Sequence, residues 1–262
     1  MPRSVGEHAT RSLLMQAGRD GVVMFGSAPD AYLRTDEHGW LVLTSEPGAD
    51  FNMAAVLRSA STSVLDAYVD EIERRGLEAV LLVDEDAPHL ADAALARGLS
   101  SVGNVPVMVW RENVLAPRRS PYVVRRGGES DVPRATAAMA DAYALDAGAL
   151  GRVTPPSVVS AGTDLWVVDV DGVVAGSCFF VRSDDHVGVY SMATRTGFQR
   201  RGIGQAILET AMSYYLDQGV STFTLEATEA GFPLYARVGF RTEAEPCAFV
   251  VGASNQFPGA DA

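Results

Sequence analysis

The chain has 262 residues, 47% of them hydrophobic, which is enough for one large domain or two small ones with buried cores. All 21 basic residues are arginine and 33 residues are acidic, so the net charge is −12, which argues against nucleic acid as a partner because phosphate binding needs a positive surface. No apolar run reaches the roughly 18 residues of a membrane span, and the segment after Met1 lacks a signal-peptide core, so we expect a cytoplasmic protein without a membrane partner.

The first half of the chain predicts a mixture of helices and strands. Apolar residues at helical spacing predict helices over 11–17, 61–75 and 88–97. Runs of strand-forming residues predict strands over 31–35, 40–45, 51–57, 77–83 and 105–111. Residues 112–121 contain Pro117 and Pro121 between two strand-like runs, which is typical of a linker.

The second half predicts a similar alternation. A strand over 122–126 precedes a helix that is opened by Ser130 and Pro133 and ends near Tyr143 or Leu145. A stretch rich in glycine and proline follows over 147–160. Asp171 and Gly172 predict a hairpin turn between two strands. The remaining predicted elements are strands over 164–170, 173–181, 186–194, 221–228 and 247–251, and helices over 203–218 and 232–237.

The two halves follow a common order of elements. Each places glycines after a long helix and after a shorter one, at Gly76 and Gly98 in the first half and at Gly219 and Gly239 in the second. We interpret this as a tandem duplication with domains over 1–116 and 117–262; the alternative is two unrelated α/β units that share helix-stop glycines. The expected fold class is α+β, with a mixed, mostly antiparallel sheet and flanking helices.

Cysteines and histidines give no sign of a metal or redox centre. Cys178 and Cys247 lie in apolar, strand-like segments, so we expect buried structural thiols. No Cys/His cluster has the spacing of a zinc site. The four histidines are scattered, at His8, His38, His89 and His186. We therefore expect no metal.

A polar loop with two glycines follows the predicted strand over 186–194. Gly202 and Gly204 let the backbone approach a ligand closely. The helix that begins there directs its first-turn amides and the positive end of its dipole into the loop, and such a terminus binds pyrophosphate. Arg200 and Arg201 add positive charge. The pattern is neither a Walker loop nor the Gly-x-Gly-x-x-Gly dinucleotide motif.

These residues resemble a known family. Residues 199–204 are similar to the coenzyme A motif of the GNAT (general N-acetyltransferase) family, Gln/Arg-x-x-Gly-x-Gly/Ala. Residues 233–240 resemble its second signature, a short helix with a tyrosine, here Tyr235, ahead of Gly239 and Phe240. The resemblance covers roughly 122–251 and implies tandem GNAT-like acyltransferase folds.

The resemblance implies acetyl-CoA as cosubstrate, bound between two splayed parallel strands over 186–194 and 221–228. The pantetheine arm would pair with strand backbone and the pyrophosphate would lie on the glycine loop. Tyr235 would protonate the departing thiolate, the alternative being a packing aromatic. The implied cofactor-binding residues are Met192, Ala193, Thr194, Gln199, Arg200, Arg201, Gly202, Ile203, Gly204 and Gln205.

The catalytic base has several candidates. The family often carries a carboxylate on the strand that corresponds to 186–194, but this strand has no Asp or Glu. Glu226 on the neighbouring strand is the best candidate for the base, because it shares one face of that strand with Thr224 and Thr228. His186, Ser191 and a water chain are alternatives, and Glu226 itself has a solvated or structural interpretation.

The first half lacks the same motifs. The residues ahead of its 61–75 helix are Arg58, Ser59 and Ala60 instead of Gly-x-Gly, and Leu95 occupies the tyrosine position. We expect a degenerate copy that does not bind acyl-CoA. Its acidic residues at 84–86 are interpreted as a solvated loop or, alternatively, as a means of attracting a cationic acceptor.

The predicted function is direct transfer of an acetyl group from acetyl-CoA to a primary amine of a small molecule or peptide. The chain's acidity mildly favours a cationic substrate. The alternatives are a non-catalytic acyl-CoA-sensing module and a protein-modifying toxin of this fold, although such toxins tend to be short and basic. We expect a monomer or homodimer whose acceptor pocket includes the loop over 146–160.

Overall fold

The computed structural model describes residues 13–111, 115, 119–183 and 185–252. Most of the predicted linker over 112–121, the predicted start of the first helix at Arg11 and the segment after Met1 lie outside these residues. No helix in the described part of the chain is long and apolar enough to cross a membrane.

The described residues contain seven α-helices and thirteen strands. The helices are α1 (Leu13–Phe25), α2 (Thr62–Arg74), α3 (Pro88–Ala96), α4 (Val132–Tyr143), α5 (Ala147–Val153), α6 (Ile203–Leu216) and α7 (Phe232–Val238). The strands are β1 (Tyr32–Asp36), β2 (Gly39–Leu43), β3 (Asn52–Val56), β4 (Ala79–Val83), β5 (Ser100–Asn104), β6 (Val107–Trp110), β7 (Val124–Gly127), β8 (Thr163–Val170), β9 (Val173–Ser183), β10 (His186–Thr194), β11 (Thr222–Glu226), β12 (Arg241–Ala244) and β13 (Cys247–Val251). Three of these, β5, β12 and α5, were not predicted, and α1 extends well beyond its predicted end at residue 17.

The strands form two sheets. The first has the order β1-β2-β3-β4-β13-β5 and the second the order β12-β6-β11-β10-β9-β8-β7. Two neighbouring pairs are parallel, β3 with β4 and β10 with β11, and the others are antiparallel. The predicted fold class, α+β with mixed and mostly antiparallel sheets, is confirmed.

Each sheet contains one strand from the other half of the chain. β6 precedes the predicted linker, yet it pairs with β11 and β12 in the second sheet. β13 is the last strand, yet it lies between β4 and β5 in the first sheet. Grouping β6 with the first fold and β13 with the second was therefore wrong, because hydrophobic patterning identifies a strand without identifying its partners. The boundary at residue 116 stays a prediction.

Helix α1 packs between the two sheets. The indole N–H of Trp40 on β2 donates to the carbonyl of Leu14, at 2.9 Å. The Trp40 ring lies so close to Gly18 that a Cβ there would come within 2.1 Å of it. On the side of the second sheet, the hydroxyl of Tyr190 on β10 donates to the carbonyl of Ala17, at 2.8 Å. A helix from the first half thus contacts the strand that borders the candidate site.

The second sheet is buried on both faces. One face packs against α6 through Phe223, Phe180 and Ile207, all fully buried. The opposite face packs against α4 and α5 and includes Phe179 and Leu165. Adjacent residues such as Phe179 and Phe180 face opposite sides because side chains alternate along a strand. This alternation determines which side chains of β10 and β11 face α6 and which face α1.

Candidate active site

The central feature of the site is a gap between β10 and β11. The two parallel strands pair at only three positions, the last of which joins Gly188 to Thr224. Beyond that point β10 stays paired with β9, while Glu226 at the end of β11 pairs with Val107 of β6. The strands therefore separate as a V, which confirms the splayed pair that the resemblance implied.

A bulge shapes the β10 side of the V. The register of β10 against β9 shifts between Tyr190 and Ala193, and Ser191 within it has a positive φ of 51°. The thiol of Cys178 on β9 lies 3.3 Å from the carbonyl of Tyr190, and burial raises its pKa well above the ordinary value. Cys178 is thus a neutral packing thiol beneath the bulge, and bulges of this kind redirect backbone groups beside active sites.

The three predicted pantetheine-binding residues lie within the bulge and just after it. Ala193 and Thr194 pair with β9 on one side. The carbonyl of Met192 accepts a hydrogen bond of 2.6 Å from the phenol of Tyr143, the last residue of α4. A carbonyl oxygen has a second lone pair for another donor. Tyr143 thus borders the site, although nothing in the sequence marked it.

The glycine loop has the backbone form expected of an anion site. Gly202 has a φ of 87° and Arg200 a φ of 62°, so both residues turn the chain sharply just before α6. The first hydrogen bond of the helix runs from the amide of Ala206 to the carbonyl of Gly202, at 3.0 Å. The N–H groups of the first turn, including those of Ile203 and Gly204, precede this ladder and point out of the helix end.

Gly204 lies where β10, α6 and α7 meet. A Cβ on Gly204 would be 3.0 Å from Leu234 and 3.7 Å from the sulfur of Met192. The side-chain amide of Gln199 donates to the carbonyl of Thr194, at 3.2 Å, which holds the loop against the end of β10. The structure thus brings the predicted pantetheine and pyrophosphate segments together.

The remaining side chains of this segment differ in exposure. Arg200 and Arg201 are exposed, and the Arg201 guanidinium lies 5.4 Å from the centre of the Phe198 ring. The side chain of Gln205 instead donates to Glu209 one turn along α6, at 2.7 Å. The two arginines can therefore contact a bound phosphate from the solvent side. The side chain of Gln205 already donates to Glu209 and is less suited to this.

Tyr235 on α7 is buried, with 7% of its surface exposed. Its ring packs edge-on against Phe240, with 6.0 Å between ring centres. Burial raises the pKa of the Tyr235 phenol well above its ordinary value, and the proximity of Tyr143 and Cys178 raises it further. The phenol is therefore protonated at neutral pH, as a general acid must be.

Glu226 lies beyond the last β10–β11 pair, at the mouth of the V. It shares a strand face with Thr224, whose hydroxyl lies 2.7 Å from Nε2 of His186. Glu226 as a residue is half-buried, and burial raises the pKa of its carboxyl to about 7. A carboxylate with this pKa is suited to accept a proton near neutral pH.

His186 is buried and both of its ring nitrogens have partners, so it is poorly suited to act directly on an acceptor. It is 7% exposed, and burial lowers the pKa of its imidazole to about 4, so the ring is neutral at pH 7. Nδ1 lies 3.0 Å from the side-chain amide of Gln16 on α1, and Nε2 contacts Thr224. Both ring nitrogens thus have protein partners. Among the described residues no cluster of three or more His, Cys, Asp or Glu side chains could hold a metal ion.

The predicted acceptor loop over 146–160 is more regular than expected. It contains α5 and a 3₁₀ helix over Pro156–Ala161. Asp146 caps α5 by accepting from the amide of Ala149, at 2.6 Å. Arg152 pairs with the carboxylate of Glu46 in the first half, at 3.0 Å. This segment therefore connects the two halves.

Comparison with known proteins identifies the family. Residues 161–242 match the family model described as an acetyltransferase (GNAT) domain. Residues 161–242 therefore form a GNAT acetyltransferase domain, and domains of this family generally bind acyl-CoA. No curated protein matches the chain.

The tandem form is evident from solved structures of similar fold. A GCN5-related N-acetyltransferase from Kribbella flavida has a TM-score of 0.66 and 16% identity over 92% of this chain and 96% of that one. One from Sphaerobacter thermophilus has a TM-score of 0.61 and 15% identity over 93% and 92%. A tandem GNAT protein from the clavulanic acid biosynthesis pathway has a TM-score of 0.59 and 14% identity over 90% and 88%. At these identities the likeness concerns the fold, which is a tandem GNAT-like fold.

Proposed function

We propose that this protein is an acetyl-CoA-dependent N-acetyltransferase that moves the acetyl group directly to a primary amine of a small molecule or peptide. The observation that carries the proposal is the V between β10 and β11, which opens beside the glycine loop at the start of α6. A protonated phenol, Tyr235, and a carboxyl with a pKa near 7, Glu226, belong to elements bordering this V.

The proposed reaction assigns one task to each group. The first-turn amides of α6, with Arg200 and Arg201, bind the pyrophosphate, and the backbone of 192–194 holds the pantetheine arm. Glu226 removes a proton from the acceptor's ammonium group, and the free amine then attacks the thioester carbonyl. The C–N bond forms and the C–S bond breaks, and Tyr235 gives its proton to the departing sulfur.

The acceptor and the cellular setting are part of the same proposal. A net charge of −12 favours a cationic acceptor over an anionic one. In this proposal the amine acceptor is the only partner, and the protein binds neither nucleic acid nor a membrane. The protein acts in the cytoplasm as a monomer or a homodimer.

Calorimetry and a thiol-release assay test the proposal together. Wild-type protein should bind acetyl-CoA, and a panel of primary amines should include one that accelerates release of free CoA thiol. Gly204→Glu places a negative side chain beside Leu234 and Met192 and should abolish binding. Gly128→Glu adds the same charge at an exposed turn where an added Cβ meets nothing within 4 Å, and should bind normally.

Two results would count against the proposal. Absence of acetyl-CoA binding by the wild type would refute the site itself. Binding that no amine converts into thiol release would favour the acyl-CoA-sensing alternative.

A further inference from the structure

A buried array of three polar side chains connects α1 of the first half to the apex of the V. His186 lies at its centre, with Nε2 2.7 Å from the Thr224 hydroxyl and Nδ1 3.5 Å from Oδ2 of Asp20. Asp20 is 1% exposed, Thr224 5% and His186 7%. The arrangement is carboxyl, imidazole and hydroxyl, in that order.

Asp20 is the unusual member of the array. Among the described residues its buried Oδ2 has no hydrogen-bond partner, and a buried polar atom without a partner costs free energy. The fold leaves room for this carboxyl: a Cβ on Gly188 would come within 2.4 Å of Oδ2. An apolar side chain at residue 20 would avoid the desolvation cost, so stability alone does not account for Asp20.

The array ends at the apex of the V. Thr224 pairs with Gly188 at the last position before β10 and β11 separate. Glu226 is the next residue on the same face of β11. Tyr190 also lies on this side, and the nearby carboxyls of Asp20 and Glu226 both act to raise the pKa of its phenol. The hydroxyl end of the array thus lies at the apex of the V, and its carboxyl end lies in the first half of the chain.

The chemistry of amine acetylation requires two proton acceptors. An ammonium group carries three protons and the amide product carries one, so two protons must leave the nitrogen. Glu226 can hold only one of them, and the other must pass to a second group, either the Tyr235 phenolate left after sulfur is protonated or a group beside the acceptor nitrogen. Tyr235 delivers one proton to the sulfur, so one proton is released overall once the enzyme is reset.

We propose that Asp20, His186 and Thr224 form a proton relay that accepts the second proton, so that the first half of the chain takes part in catalysis through α1. This inference rests on the proposed function. When the nitrogen bonded to the acetyl carbon loses its proton to Thr224, the Thr224 hydroxyl proton passes to Nε2 of His186. The proton on Nδ1 then passes to the carboxylate of Asp20. Thr224 is the catalytic residue, and His186 and Asp20 are positioning residues that act through it.

The surroundings of the array suit this task. Burial raises the pKa of Asp20 to about 7 and lowers that of His186 to about 4, so above pH 7 a neutral imidazole lies beside a largely ionised carboxyl. The other charged groups that act on the pair are Arg19 on α1, Asp185 before β10 and Arg111 after β6. The separation of 3.5 Å exceeds a hydrogen bond, but catalytic hydrogen bonds commonly shorten when substrate binds.

The tautomer of His186 distinguishes a relay from a structural contact. A relay needs the proton on Nδ1, facing Asp20, and Nε2 accepting from the Thr224 hydroxyl. A structural contact would place Gln16 as donor to Nδ1 and Nε2–H as donor to Thr224. The Gln16 amide lies 3.0 Å from Nδ1 and also hydrogen-bonds to Asp20, so the relay requires Gln16 to release Nδ1 and leave that proton facing Asp20 alone. A change of tautomer is the known effect of replacing such an aspartate by asparagine in a catalytic triad.

Nitrogen NMR of the full-length protein at pH 8 reads the tautomer directly, with His186→Asn to assign the signal. We expect the Nδ1–H form in the wild type and the Nε2–H form in Asp20→Asn. The Nε2–H form in the wild type would overturn the relay. This measurement needs no acceptor, so it can fail or succeed independently of the proposed function.

Kinetics with acetyl-CoA and the best amine of the panel provide the second readout. Thr224→Val should lower kcat at least tenfold while the KM for acetyl-CoA stays within twofold, and Thr224→Ser should restore most of the rate. Thr136→Val, which alters a buried threonine on α4, is the matched control and should keep full activity. Wild-type kcat in Thr224→Val, with the bond-forming step rate-limiting, would overturn the proposal even if Asp20→Asn fails to fold.

Discussion

Trp110 should stabilise the second sheet although it precedes the predicted linker. Its side chain is 1% exposed, and its ring packs edge-on against Phe223, with 5.6 Å between ring centres. Replacing a buried tryptophan by alanine costs about 3–5 kcal/mol. Because small domains are stable by about 5–15 kcal/mol, Trp110→Ala should stay folded while its surroundings open more often.

Hydrogen exchange measured by mass spectrometry shows which part of the protein loses stability in Trp110→Ala. At about 3 kcal/mol, amides whose exchange requires opening around Trp110 should exchange roughly 10²-fold faster. The increase should be largest in peptides from β11 and α6, and smaller in peptides from β3 and α2. Denaturant unfolding of the same variant should give a matching fall in the free energy of unfolding.

Phe249→Ala is the reciprocal control. Phe249 on β13 is 2% exposed and packs in the core of the first sheet, so the pattern of faster exchange should be reversed. If Trp110→Ala instead affected the first sheet, or Phe249→Ala the second, the exchange of strands between the halves would be refuted.

Three further predictions concern the site and α1. Tyr235→Phe should lower kcat by about 10²-fold and leave acetyl-CoA affinity unchanged, because the phenol acts only as charge develops on sulfur; an unchanged kcat with rate-limiting chemistry would contradict the assignment. Only ionised Glu226 accepts a proton and its pKa is about 7, so kcat/KM should rise as pH increases through 7, and Glu226→Gln should flatten that rise to the part that Asp20 contributes in the same pH range. Gly18→Ala would place a Cβ 2.1 Å from the Trp40 ring, so it should cost about 1–3 kcal/mol in urea unfolding, whereas Gly21→Ala, with nothing within 4 Å, should not.

Sequence patterns predicted the features that depend on local backbone. The turn before α6 needs a positive φ at Gly202, and such a requirement leaves a glycine in the sequence. The helix of Tyr235 has proline in its first turn and glycine after its end, which are ordinary helix boundaries. These signals are local, so the loop and the second motif were found without knowing the fold.

Long-range packing accounts for what the sequence did not predict. The first helix was predicted to end at residue 17, yet α1 continues through Gly18 and Gly21 to Phe25, with the Trp40 ring packed in the space beside Gly18. All five residues of β5 are exposed, so β5 has no hydrophobic alternation, and it forms by pairing with β13. Asp20 shows no motif at all, since its role depends on where α1 lies against β10.

The exchanged strands have a consequence for the order of assembly during synthesis. β13 is the last described strand to leave the ribosome, yet it pairs with β4 and β5, which are made long before. The first sheet therefore lacks the strand between β4 and β5 until the second half has been translated. By contrast, β6 is already available when β11 and β12 emerge. Because contacts between distant parts of a chain form slowly, the second sheet should close first during biosynthesis, and the first sheet should become resistant to protease only after β13 has emerged.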